Sequence, residues 1–207
     1  MLLKPPTNGN NKKIYKPTIK NNNMKILHFT SEESWKSIQN SGFLLPKTNP
    51  NNFRLNLSEK LKKMMPFKEY LVGIPMGSYQ GWSECKLTER LEKYTSGEVP
   101  LLLQITWEKG PFIRDHALYS PGRLENEKGI DMAKFQEKLT NDGYYLTNEC
   151  KHIEKIIEDS EKIFKNDYLN STMPLTNYSG QYLAPEVWLP QVTPLDSIKR
   201  IPLERLI

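Results

Sequence analysis

The sequence predicts an α+β fold with a mixed, mostly antiparallel sheet and flanking helices. Apolar runs of strand length are separated by helical segments and loops of unequal length. A regular alternation of strand and helix would favour a doubly wound parallel sheet, and this chain has no such alternation. It also has no internal repeat, so a solenoid or a propeller is not indicated.

Length and composition favour one folded domain that follows a polar arm. Residues 1–23 are rich in Asn, Lys and Pro. Such a segment buries too little apolar surface to offset the entropy lost on ordering, so we expect a flexible basic arm. Residues 24–207 then form a single domain, which is an ordinary size for one hydrophobic core.

The net charge of +5 comes from the arm. Six of the 29 basic residues lie in residues 1–25, together with none of the 24 acidic ones. The rest of the chain therefore carries 23 basic and 24 acidic side chains. Net charge gives no support for a strongly basic nucleic-acid-binding face on the folded domain.

The sequence predicts a protein of the cytoplasm without a membrane partner. No apolar run approaches the roughly 20 residues that span a bilayer, and the first residues lack the apolar core of a signal peptide. The two cysteines, Cys85 and Cys150, do not form a disulfide framework and are expected to be reduced thiols.

Secondary structure is predicted from periodicity and from capping residues. Strands or extended segments are expected at residues 24–30, 43–46, 69–75, 99–107, 181–189 and 197–203. Helices are expected from a cap at Thr30 or Ser31 to Gly42 and at residues 87–94, 131–139 and 152–165, with a basic amphipathic stretch at 55–65. Residues 76–82 and 115–122 are expected to be loops, the second with a turn and a helix start at residues 119–121, and residues 172–180 are expected to be irregular.

Several kinds of chemistry lack their sequence motifs. There is no phosphate-binding loop, no dinucleotide fingerprint and no serine nucleophile elbow. Cys150 and His152 are the nearest approach to a metal site, and their spacing matches no standard zinc pattern. We therefore expect no bound metal.

Two apolar runs each contain one side chain that can take part in catalysis or in ligand binding. His28 lies in the run at residues 25–31, and Glu186 lies in the run at residues 182–190. A His or a Glu within an apolar strand costs free energy unless it is paired or used. These two residues are therefore the first candidates for a functional site.

Both runs resemble parts of one protein superfamily. The sequence from Leu27 to Ser31, with the helix that ends at Gly42, resembles the first strand–helix unit of ADP-ribosyltransferase-like proteins. Among these it is most similar to the DNA-targeting ADP-ribosyltransferase toxins and, more distantly, to the tRNA 2′-phosphotransferases. The strand that carries Glu186, followed by a proline turn and a last apolar strand, resembles the end of many such proteins. The resemblance implies a split sheet and NAD as co-substrate.

The resemblance also implies roles at the reacting bond. Cleavage of the nicotinamide–ribose bond passes through an oxocarbenium-like transition state, which a carboxylate stabilises. Glu186 is expected to supply that carboxylate, while His28 donates a hydrogen bond to a ribose hydroxyl and Thr30 helps to fix NAD. On the residues alone, the favoured interpretations are a satisfied core histidine for His28 and a solvent-facing strand residue for Glu186. Glu84 is a rival acid.

Further cofactor contacts are expected from aromatic and basic residues. Tyr79 and Trp82, with Tyr70 behind them, are candidates to stack on nicotinamide, and their alternative role is to cover the sheet. Arg114 is a candidate to bind a phosphate of NAD. Its alternative role is to pair with Asp115 and lock a loop.

The expected activity is NAD-dependent transfer of ADP-ribose to a macromolecular acceptor, either a protein or a nucleic acid. One alternative is the NAD-dependent removal of a 2′-phosphate from RNA. The other is a non-catalytic module that binds a protein or a nucleic acid. The sequence leaves these three functions open.

Overall fold

A seven-strand antiparallel sheet forms the centre of the molecule, and a two-strand ribbon and several helices complete the α+β fold. The structure is a computed structural model that describes residues 23–48, 57–85, 98–106, 110–141 and 147–202. It confirms the α+β class with a mostly antiparallel sheet and flanking helices. Every strand pairing among these residues is antiparallel.

The strands are numbered in chain order. They are β1 (Asn23–Ser31), β2 (Phe43–Leu44), β3 (Leu71–Pro75), β4 (Glu98–Thr106), β5 (Phe112–Asp115), β6 (Met173–Pro174), β7 (Pro185–Leu189), β8 (Thr193–Pro194) and β9 (Ile198–Arg200). The large sheet has the order β6-β5-β7-β3-β1-β4-β9, and β2 pairs with β8 in the ribbon. The predicted strands are confirmed with ends shifted by a few residues, except that the strand expected at 181–189 begins only at Pro185.

The helices are also numbered in chain order. They are α1 (Glu32–Ser41), α2 (Glu59–Met64), α3 (Tyr79–Glu84), α4 (Pro121–Lys128), α5 (Met132–Asn141) and α6 (Asn148–Asn170). None of the helices in the described part of the chain is long and apolar enough to cross a membrane.

Helix α1 forms where its capping residues predict it. The Ser31 hydroxyl accepts a hydrogen bond from the Ser34 amide at 3.1 Å, which caps the first turn. Gly42 ends the helix in the left-handed conformation, with φ at 79°. The buried side chains of Trp35 and Ile38 hold the helix against the sheet.

Two segments that were expected to be loops contain helices. Residues 79–84 form α3, and Gly81 lets this short helix lie close to the chain at Leu183. A Cβ on Gly81 would lie 1.8 Å from the Leu183 carbonyl oxygen. Within residues 115–122, a 3-10 turn covers His116–Tyr119, which was not expected, whereas α4 starts at Pro121, where the sequence predicts a helix start. The helix expected at 87–94 lies outside the described residues, as does the arm at residues 1–22.

Pairing in the sheet is uneven at β1. Nine residue pairs join β1 to β4, from Asn23 opposite Thr106 to Ser31 opposite Glu98. Only two pairs join β1 to β3, and the last of them places Leu27 opposite Ile74. Beyond Leu27, the sheet therefore continues on the β4 side of β1 without a paired strand on the β3 side.

The large sheet is packed on both faces. One face, called the cavity face, carries Ile26, Leu101 and Val187 and packs against α1 through Trp35. The other, called the α6 face, carries buried side chains that include Ile74, Phe112 and Trp188. Helix α6 extends over this second face and is longer than expected, because the Thr147 hydroxyl already caps its first turn.

Candidate functional site

The predicted site residues fall into two groups on opposite faces of the sheet. Residues opposite each other in an antiparallel ladder share a face, and neighbours along a strand alternate. Gly73 pairs with Val187, so Glu186 shares the face of Ile74. Ile74 pairs with Leu27, which puts both on the face away from His28. The expectation that His28 and Glu186 flank one cleft is therefore not met.

His28 occupies the point at which β1 and β3 stop pairing. Its Nδ1–H donates a 2.9 Å hydrogen bond to the main-chain carbonyl of Val72 on β3. A carbonyl can only accept, so this contact assigns the proton to Nδ1 of the neutral ring. Nε2 is then left as an acceptor.

The protonation state of His28 changes its expected role. Burial lowers the pKa of His28 below its ordinary value, and the hydrogen bond to Val72 offsets part of that effect. The ring is therefore neutral at pH 7. With Nδ1–H already used, His28 can accept a hydrogen bond from a ligand hydroxyl through Nε2, whereas the sequence led us to expect it to donate one.

A cavity of about 640 Å³ opens beside His28 and Thr30. This volume lies in the range of small-molecule sites, about 300–1,000 Å³. The described lining comes from the end of β1, from one side of α1 and from the segment that includes β2. Its residues are His28, Phe29, Thr30, Ser31, Glu33, Ser34, Ser37, Ile38, Ser41, Phe43, Leu44, Leu45, Lys47, Thr48 and Leu71.

Three hydroxyl groups of α1 belong to this lining, and the sequence analysis did not select them. Ser34, Ser37 and Ser41 recur at i, i+3 and i+7, which places them on one side of the helix. That spacing was the sequence signal from which a polar side of α1 could have been predicted. Glu33 and Lys47 add one carboxylate and one ammonium group to the lining.

Glu186 lies in a buried polar cluster on the α6 face and is only 1% exposed. Its Oε2 accepts hydrogen bonds from the Tyr168 hydroxyl at 2.5 Å and from the Trp188 indole N–H at 3.0 Å. His116 Nδ1 lies 3.8 Å from the same oxygen. These contacts exclude the interpretation of Glu186 as a solvent-facing strand residue. They also keep its carboxylate away from the cavity.

Arg114 belongs to the same cluster. It lies directly opposite Glu186 in the β5–β7 ladder and is fully buried. Its Nε donates to the Thr172 hydroxyl at 2.7 Å, and its guanidinium carbon lies 4.7 Å from the centre of the Trp188 ring. A guanidinium buried in this way is not presented to an external phosphate.

Asp115 holds the neighbouring loop through main-chain amides, and not through the pairing with Arg114 that the sequence offered as an alternative. Its carboxylate accepts hydrogen bonds from the main-chain amides of Ala117 and Ala184 at 3.1 Å and 3.0 Å. The Leu183 amide contributes a third contact at 3.3 Å. The carboxylate thus ties β5 to the segment that precedes β7.

Trp82, one of the two aromatic candidates, is not among the described residues that line the cavity. Trp82 stacks on His116 with ring centres 5.2 Å apart and donates to the Pro185 carbonyl at 3.2 Å, so it belongs to the Glu186 cluster. Tyr79 is the first residue of α3, and its side chain is not among those that the structure describes. The rival acid Glu84 is exposed and accepts a hydrogen bond from Gln80.

Within the described ranges, no group of three His, Cys, Asp or Glu side chains is placed to hold a metal ion. Comparison of the chain with protein-family models, with curated protein sequences and with solved structures gave no match. The case for a function therefore depends on the site itself and on the resemblance of the two strand segments.

Proposed function

We propose that the protein binds NAD in the cavity beside His28. The observation that supports this proposal is the His28 ring, which is neutral and is held by Val72 where the β1–β3 pairing ends. A cavity lined partly by hydroxyl groups lies next to it. A ribose offers hydroxyl donors to Nε2 of His28 and both donors and acceptors to the serine hydroxyls. The finer fold assignment, a split sheet of the ADP-ribosyltransferase-like type, has support in the opening between β1 and β3.

The reaction that we propose for this site is transfer of ADP-ribose to a macromolecular acceptor. Transfer needs a carboxylate close to the ribose. Glu186 was expected in that role, but its carboxylate is buried on the opposite face. Among the described lining residues, Glu33 is the acidic one. It therefore replaces Glu186 as the first candidate for the carboxylate at the ribose.

NAD binding is tested by titration of the full chain in a calorimeter and by the shift of its melting temperature. NAD should bind and raise the melting temperature, since a ligand that prefers the folded state stabilises it. His28→Ala should weaken binding at least tenfold, because it removes the fixed acceptor. Glu186→Gln is the matched control and should bind NAD as the wild type does.

Two results would contradict the proposal. NAD at millimolar concentration without any effect on melting or on heat release would remove NAD from this site. It would favour the second candidate, a non-catalytic module, which the burial of Glu186 in a network of side chains also supports. Loss of NAD binding in a Glu186→Gln protein that unfolds at the same urea concentration as the wild type, with His28→Ala unaffected, would move the site to the α6 face.

The reaction needs a separate measurement, the release of nicotinamide in the presence of candidate protein and DNA acceptors. Glu33→Gln should reduce release while NAD still binds. If Glu186→Gln abolishes release while it unfolds at the same urea concentration as the wild type, and Glu33→Gln does not abolish release, Glu186 is the catalytic carboxylate and its strand must rearrange during turnover. Release that accompanies the consumption of 2′-phosphorylated RNA would favour the 2′-phosphotransferase alternative.

A further inference from the structure

One serine hydroxyl of the cavity lining is free to react. The three serines of α1 that belong to the lining are Ser34, Ser37 and Ser41. The Ser41 hydroxyl donates to the Phe43 carbonyl at 3.1 Å. The Ser34 hydroxyl accepts a hydrogen bond from the hydroxyl of Ser31 at 3.0 Å. Ser37 is exposed, and within the described part of the chain its hydroxyl has no hydrogen-bond partner.

A carboxylate lies next to Ser37 on the same helix. Glu33 precedes Ser37 by four residues and lines the same cavity. Residues four apart on a helix are neighbours on its surface, with Cβ atoms about 5–6 Å apart. Glu33 is therefore placed to take the proton of the Ser37 hydroxyl, which is how an adjacent base makes a hydroxyl nucleophilic. The two residues combine a nucleophile and a base on one side of α1.

The charges of the lining favour one orientation of NAD relative to this pair. Glu33 brings a negative charge to the cavity, and Lys47 brings a positive charge. The oxidised nicotinamide, and the cation that develops at its ribose, are attracted by Glu33, whereas the diphosphate is attracted by Lys47. With the nicotinamide ribose at Glu33, the Ser37 hydroxyl lies about one helical turn further along α1, beside the reacting carbon.

We propose that Ser37 accepts ADP-ribose within the same molecule, so that the protein modifies its own helix α1. The Oγ of Ser37 forms a bond to C1′ of the ribose, while the bond between C1′ and the nicotinamide nitrogen breaks. The electrons of the broken bond leave with nicotinamide, which departs as a neutral molecule. The hydroxyl proton passes to Glu33 and then to water. NAD and the serine are thus converted to a serine-linked ADP-ribose, nicotinamide and a proton.

This inference rests on the proposed function, because it needs NAD in the cavity and Glu33 at its ribose. It assigns a modification site, and the modification has a consequence for the cavity. The linked ADP-ribose stays attached to a residue of the lining, so it fills the site in which it was formed. Without another acceptor, the reaction should therefore stop when each chain has been modified once.

The first measurement is the intact mass of the full chain after incubation with NAD alone, followed by peptide mapping that retains the adduct. The wild type should gain a single ADP-ribose, and the adduct should map to Ser37. Ser37→Ala should lose this modification, and alanine keeps α1 helical. Ser83→Ala is the matched control, since Ser83 is an exposed helical serine that does not belong to the cavity lining described above.

A second measurement identifies the linkage. Neutral hydroxylamine releases ADP-ribose from the ester that a carboxylate such as Glu33 would form, and it leaves a glycosidic bond to a serine oxygen intact. The adduct should therefore resist hydroxylamine. The rate of modification per chain should also be the same at every protein concentration, because the NAD site and the acceptor belong to one molecule.

The outcomes separate this inference from the function on which it rests. If NAD binds and nicotinamide is released to an added acceptor, but the chain is not modified, the inference is wrong and the proposed function stands. An adduct that maps to Thr30 or Lys47, that hydroxylamine removes, or that forms faster per chain at higher protein concentration also overturns the inference. If NAD does not bind to the chain, both fail.

Discussion

Tyr168, near the end of α6, donates a 2.5 Å hydrogen bond to the carboxylate of Glu186 on β7. This bond joins the long helix to the middle of the large sheet, and Arg114 lies beside both groups. Burial and the negative charge of Glu186 raise the pKa of Tyr168 far above its ordinary value, so the phenol keeps its proton and remains a donor. The cluster therefore has the features of a structural network that fixes how α6 sits on the sheet.

Replacement of Glu186 should mainly affect stability. Glu186→Ala leaves Arg114 buried without its acidic neighbour, and we expect a loss of about 3–5 kcal/mol in the free energy of unfolding. Tyr168→Phe removes one hydrogen bond and should cost about 1–3 kcal/mol. Urea denaturation measures both. Glu84→Ala, at an exposed acid, is the control and should change little; equal losses in Glu84→Ala and Glu186→Ala would contradict a structural role.

Stability should depend on pH through His28. The folded-state pKa of His28 is lower than its ordinary value of 6.5, so the unfolded chain binds the proton more readily. The contribution of His28 is thus constant above about pH 6.5. It should fall as the pH drops from there toward the folded-state pKa. The measurement is the free energy of unfolding against pH for the wild type minus that for His28→Asn, and a difference that does not change between pH 7 and pH 5 would contradict this assignment.

Cys85 should be an unreactive thiol in the folded protein. Burial, together with the nearby carboxylates of Asp115 and Glu84, raises its pKa to about 11. At pH 8 only about one thiol in a thousand is then ionised, and the thiolate is the reactive form. Alkylation with iodoacetamide, followed by peptide mapping, should modify Cys85 far more slowly in the native chain than in urea. Equal rates would show that the segment around Cys85 opens readily.

Gly81 should be intolerant of a side chain although it lies in a helix. Alanine is intrinsically better than glycine inside a helix by about 1 kcal/mol. At this position, however, its Cβ would lie 1.8 Å from the Leu183 carbonyl oxygen, and a main-chain atom cannot easily move away. We expect Gly81→Ala to destabilise the protein by about 3 kcal/mol or more.

The matched control for Gly81 is Gly129, which ends α4 with φ at 68° and has open space around it. Gly129→Ala should cost only about 1 kcal/mol, the strain of a left-handed alanine. Thermal melting of the two variants compares a steric effect with a backbone effect. A smaller loss for Gly81→Ala than for Gly129→Ala would contradict the close approach of α3 to Leu183.

The sequence alone was sufficient to predict those helices and strands that are marked by residues within or next to them. Ser31 and Gly42 mark both ends of α1, and the apolar run after Glu98 marks β4. These residues act on their own segments, so their effect can be recognised without the rest of the chain. The helix α3 was missed because it has six residues and its N-cap, Ser78, makes no side-chain capping hydrogen bond, so its local signal is weak.

The relation between the two site segments could not be predicted in the same way. All five residues of β7 are buried, so the sequence from Pro185 to Leu189 has no alternation that would show which face Glu186 takes. The face depends on register, and register is set by the pairing of Gly73 with Val187. The cavity beside His28 combines β1, α1 and the β2 segment, of which only His28 and Thr30 were selected as site residues from the sequence.

The position of β7 in the sheet has a consequence for synthesis of the chain. This strand lies between β3 and β5, although it follows both of them in sequence by about 70 residues or more. A growing chain that has not yet emerged past Leu189 therefore has two strands with open edges, one on each side of the missing strand. Open edges recruit strands from other chains. Stalled or truncated products that end before Pro185 are expected to aggregate, whereas release of the complete chain closes the sheet in a single late step.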